Sequence, residues 1–259
     1  MKNRIYGLVI GCAIADSMGA VAAYAPDLQV TEPTSALDAG IKPGYWTEPT
    51  GLFLARLSGR TGSVPTCTGV YAESNLHILP VMVQYTSYCI IHEDLDKTLK
   101  ELGTAVPDVV LWLAFIDGVL HGLPKKMLFN HNLYRKLNVD TRILNGDLDE
   151  TDNLELETFG EVLGIFRNTN NFVEGLRRVV NECVTPAWAA ALYGQIAGAY
   201  YGITDIPEPW MDYIQQSTDI LELLESVSNA RLERSGTNSG VSTKEKHVGS
   251  ESCGDIATV

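Results

Sequence analysis

The sequence predicts an all-α fold. Apolar residues recur at three- and four-residue steps along most of the chain, no run alternates with period two long enough to form a sheet, and prolines fall between the apolar segments. A chain of 259 residues, 45% hydrophobic and 20% charged, can bury a sizeable core and still be one domain.

The first helix is marked by Ile5, Leu8, Val9, Cys12 and Ala13, with Gly7, Gly11 and Ala15 forming a small face where another helix can come close. Its opening, MKNRIYGLVIGCAIADSMGA, has the basic start and short apolar run of a signal peptide, but Asp16 interrupts the run. No stretch reaches the roughly 20 apolar residues of a membrane helix, so it reads as a core helix. Helical spacing returns in Leu52, Leu54, Ala55 and Leu57, then from Leu76 to Tyr88, Val109 to Leu120, Leu154 to Phe166, Phe172 to Val180 and Trp188 to Tyr201. Pro26, Pro43 with Gly44, Pro65, Pro107, Pro124, Pro207 and Pro209 punctuate these segments. The helical domain is expected over residues 1–225. From Ser226 the chain is rich in Ser, Gly, Thr, Asn and charge, with no aromatic residue, which predicts a disordered polar tail over 226–259.

A net charge of −13 argues against a nucleic-acid partner, because displacing counterions from phosphates needs clustered Lys and Arg. Five cysteines, Cys12, Cys67, Cys89, Cys183 and Cys253, form no CxxC pair and are odd in number. That fits neither a disulfide framework nor a zinc ribbon and points to an intracellular, reducing compartment. His77, His92, His121 and His131 have no partner at ligand spacing, which leaves them surface or packing roles. GDLDETDN, residues 146–153, lacks the glycine and terminal acid of a calcium loop; Asp152 or Asn153 is placed to cap the helix starting near Leu154.

Four motifs carry a resemblance. RIYGLVIGCAIADSMGA places Arg4, Gly7, Gly11, Ala13, Asp16 and Gly19 as in the first helix of the ADP-ribosylglycohydrolases. PGYWTEPT (43–50) resembles that family's G-x-W-T-D-D-T, and SNLHILP (74–80) a shortened S-N-G-x-x-M-R-x-x-P. LETFGEVLGIFRNTNNFVEGLRRVVN followed by YGQIAGAYYGITDIPEPW is similar to the end of the family domain. The resemblance implies an all-helical fold, a cleft holding two magnesium ions, and hydrolysis of the bond between ADP-ribose and a side chain. Those ions need hard oxygen ligands. Here Thr47 is kept, Glu48 and Pro49 replace the first pair of aspartates, and Thr185 and Ala187 replace the second, with Trp188 in place of a small Thr. About one carboxylate would face four positive charges, so no metal cofactor is expected.

The expected function is therefore an inactive ADP-ribosylglycohydrolase-like protein with a binding or structural role, through a protein partner or ADP-ribose. An active hydrolase would use Glu48 and Asp16 around an altered metal site. A third reading keeps ADP-ribose or nucleotide binding alone: Thr47, Glu48, Asn75 and Trp188 line the degenerate cleft, and Tyr45, Trp46 and Trp188 supply rings for an adenine. Neither nucleic acid nor a membrane is an expected partner.

Overall fold

The computed structural model describes residues 1–33, 44–59, 77–92, 94–103, 106–146, 153–214 and 217–238, and no strand occurs among them. The chain is organised around two helices that touch backbone to backbone, α1 (Lys2–Tyr24) and α9 (Pro186–Tyr201). A Cβ added at Gly7 would stand 2.0 Å from the Gly198 carbonyl oxygen, and one at Gly11 2.5 Å from that of Gly194. Gly19, further along α1, lies against Pro186 and Ala187 at the start of α9. The pairing 7 with 198, 11 with 194 and 19 with 187 makes the helices antiparallel, at a separation that only missing side chains allow. α1 is long and apolar enough to cross a membrane, but 94% of its apolar window is buried inside the protein, as expected of a core helix.

Around this pair pack α2 (Glu48–Leu57), α3 (Ile78–His92), α5 (Pro107–Leu120), α7 (Leu154–Asn168) and α8 (Phe172–Glu182). α3 buries Leu79, Met82, Val83, Thr86, Cys89 and Ile90, a stripe at three- and four-residue spacing. Trp112 of α5 donates its indole N–H to Thr86 Oγ1 at 2.8 Å, and Ser87, buried beside that stripe, donates to the Gln84 carbonyl, so both hydroxyls are used. α4 (Leu95–Leu102) starts where Asp94 accepts from Lys97 N–H, and α7 starts where Asn153 accepts from Glu155 and Leu156. Cations close two helix ends. Arg4 donates to the carbonyls of Ala199 and Tyr200 at the end of α9, and Lys125, in the short α6 (Lys125–Leu128), donates to those of Phe166 and Thr169 after α7.

The polar tail needs a correction. After α10 (Glu208–Tyr213), α11 runs from Ser217 to Asn238, across the compositional boundary at Ser226. Ile220 and Leu224 are buried, and Leu223 and Val227 pack beside them. Three- and four-residue spacing in a Glu- and Leu-rich segment therefore outweighs its polar average. Residues 239–259 lie outside the described residues.

Candidate functional site

Of the sequence-predicted residues, Thr47 and Ala187 meet the C-terminal half of α1, which carries Asp16. Asp16 is fully buried there. Its Oδ2 accepts from the backbone N–H of Thr47 at 2.9 Å and of Thr50 at 3.0 Å, and its Oδ1 accepts from the Thr47 hydroxyl at 2.5 Å. Thr47 is the residue before α2, and Pro49 fills the first turn, so Asp16 does from α1 what an N-cap side chain does locally. Burial pushes the Asp16 carboxyl up, against the opposing pull of the bonds from Thr47 and Thr50. One turn earlier, Cys12 lies 3.7 Å from Thr50 Oγ1, and burial followed by the Asp16 charge drives its thiol upward, away from thiolate chemistry.

Around this anchor the candidate ligands diverge in fate. Glu48, the first residue of α2, is exposed. Pro49 is buried in the first turn. At the start of α9, Thr185 is buried and its hydroxyl meets that of Thr158 on α7 at 2.7 Å, instead of capping its own helix. Ala187 is buried, and Trp188 is 3% exposed within the core. Trp46 is buried as well, its indole nitrogen without a partner, whereas Tyr45 is half-exposed. Both tryptophans thus serve packing, and neither presents an open ring face to an adenine. Asn75 lies outside the described residues, as do Asp147, Asp149, Glu150 and Asp152. Among the described residues no three His, Cys, Asp or Glu side chains are grouped to hold a metal ion.

Glu155 was not singled out by the sequence. It is buried in the first turn of α7, and its Oε1 accepts from the backbone N–H groups of His77, Ile78 and Leu79, at 2.9, 2.6 and 2.9 Å. It is to α3 what Asp16 is to α2. An acid in a helical first turn reads as ordinary dipole complementation, and the segment it binds begins more than 70 residues away, so spacing carries no signal. The histidines keep surface and packing roles. His121 meets Asp117, His131 sits between Thr141 and Asn145, and His92 stacks on Tyr88.

Comparison with known proteins decides the family. The ADP-ribosylglycohydrolase family profile matches residues 81–237, more than half of the chain. The chain is a member of the ADP-ribosylglycohydrolase family. Over 125 residues it is 30% identical to the ADP-ribosylarginine hydrolase Tri1 of Serratia proteamaculans (strain 568), a match spanning 45% of this chain and 34% of that protein. The chain thus spans about a third of the length of this curated relative. A solved structure described as an ADP-ribosylglycohydrolase-related protein complex superposes with a TM-score of 0.69 at 19% identity, over 87% of this chain and 97% of that one, which establishes the shared all-α fold. The family match includes α7, α8 and α9 but begins after Asp16 and Thr47.

Proposed function

We propose that this member of the ADP-ribosylglycohydrolase family is catalytically inactive and works as a binding or structural protein. The observation that carries the reading is the commitment of Asp16: its two oxygens meet three protein donors, which takes three of about four lone-pair sites, and full burial closes off the fourth from a metal or water. Thr47 spends its hydroxyl proton on Asp16, Thr185 is paired to Thr158, and Pro49 and Ala187 offer no donor atom. Glu48 is then the remaining carboxylate of the two motifs. One exposed acid does not fit two magnesium ions, whose desolvated charge needs several hard oxygens. Trp188, buried where the family pattern has a small residue, adds steric closure.

The name of the Serratia relative supports a second reading, in which the chain cleaves ADP-ribose from arginine with Glu48 and Asp16 as its acids. Calorimetric titration of ADP-ribose, once with excess magnesium and once with chelator, separates the two when paired with a hydrolysis assay on arginine-, serine- and O-acyl-linked substrates. The inactive reading expects no turnover and no magnesium-dependent heat. Magnesium-dependent release of ADP-ribose overturns it, while chelator-insensitive binding without turnover assigns the cleft to ligand binding alone.

A further inference from the structure

Arg56 stands at the end of α2 remote from the cleft, about 12 Å along the helix from Glu48 at a rise of ~1.5 Å per residue. Its guanidinium carbon is 4.8 Å from the ring centre of Tyr85 and 5.2 Å from that of Tyr88. The two tyrosines meet edge to face at 5.2 Å, and His92 stacks on Tyr88 at 5.5 Å, so the platform is braced along α3. All four side chains are half-buried. Arg56 Nε is shut off from water without an acceptor.

That orphan donor sets Arg56 apart from other arginines among the described residues. Arg4, Arg167 and Arg177 donate to backbone carbonyls, and Arg142 and Arg178 pair with Asp140 and Glu182. The chain has 32 acidic residues, yet what orients the Arg56 cation is two ring faces. A guanidinium held flat by aromatic faces keeps its donor edge in one plane, with much of its rotamer freedom already lost in the free protein. The outer edge, formed by the two Nη groups, matches the paired oxygens of a carboxylate or phosphate, and neither Nη is among the donors closed off inside the protein.

We propose that Arg56, held on Tyr85 and Tyr88, is a binding site for a small oxyanion group, separate from the cleft and independent of whether the cleft is active. The chemistry is shared by a carboxylate and a phosphate group. The test follows the Arg56 Nε–Hε resonance of the isotope-labelled full chain by NMR while sodium acetate, sodium phosphate or sodium chloride is added at matched ionic strength. A saturable shift with acetate or phosphate and none with chloride is expected, and the anion that saturates at lower concentration assigns the source. Arg56→Lys keeps the charge but loses the planar fork, so weakening of about tenfold or more is expected, read on the Tyr85 and Tyr88 ring resonances. Tyr88→Leu removes half the platform and should weaken binding while Arg56 remains. A resonance that moves equally in all three salts, or in none, overturns the proposal on the unmodified protein, whatever the folding of either variant.

Discussion

Asp16 satisfies three donors with two oxygens in a fully buried site, and this arrangement distinguishes a structural acid from a chemical one. A helix cap needs acceptors, whereas metal binding needs an ionised carboxylate with a lone pair to spare and acid–base chemistry one that titrates. Asp16→Asn can keep the cap: its carbonyl oxygen takes the N–H groups of Thr47 and Thr50, and its amide donates to the Thr47 hydroxyl. Stability near that of the wild type is expected at neutral pH, while Asp16→Ala, which strands the donors, should lose about 2–3 kcal/mol in urea denaturation. The pH dependence gives a second readout. Because the folded carboxyl lies above its ordinary value, its contribution is full below the ordinary carboxylate range near ~3.9 and is lost as pH rises through the folded value. Asp16→Asn does not titrate, so it should gain on the wild type as pH rises over that interval. A constant difference from pH 4 to 7 would show that Asp16 is not destabilised by ionisation.

At the scale of elements, contact between α1 and α9 predicts opposite signs for the same substitution in different helices. Gly198→Ala would place a Cβ 2.0 Å from the Gly7 carbonyl oxygen, which neither backbone can yield without parting the helices. A loss of about 3 kcal/mol or more is expected. Gly164→Ala in α7 meets nothing within 4 Å and should gain about 0.5–1 kcal/mol from helix propensity. Thermal unfolding of both variants checks the pair, and equal effects would contradict the close approach. The small face of Gly7, Gly11 and Ala15 was legible in the sequence because contact between these helices requires missing side chains. α4 was not: Leu95, Leu99 and Leu102 do recur at helical spacing behind the Asp94 cap, but the segment is only eight residues long and its leucines are only partly buried. In the site, the resemblance put Asp16, Thr47 and Glu48 at one cleft but not the bond between Asp16 and Thr47, and Glu155 was invisible because its partners are backbone groups of a distant segment. Neither Trp46 nor Trp188 could be assigned to packing from residue type alone, as a tryptophan suits a core and a ligand face equally.

For the whole molecule, the question left by composition is where the folded unit ends. The family match stops at residue 237, one residue before the end of α11, and α11 packs on α1. The folded unit therefore reaches beyond Ser226, and truncations should show steps in stability. Ending the chain after Asn238 keeps the whole of α11, so the urea midpoint and m-value should stay unchanged. Ending the chain after Glu225 removes Val227, a partly buried residue, and should cost about 1 kcal/mol. Ending it after Ile214 also uncovers the sites of Ile220 and Leu224, 2% and 0% exposed, and at roughly 1.5–3 kcal/mol per buried side chain should cost several kcal/mol. The m-value should fall with that last step, because less surface is then buried on folding. If all three truncations unfolded at the same midpoint, α11 would add nothing to the core, and the boundary drawn from polar composition at Ser226 would be the better description of the molecule.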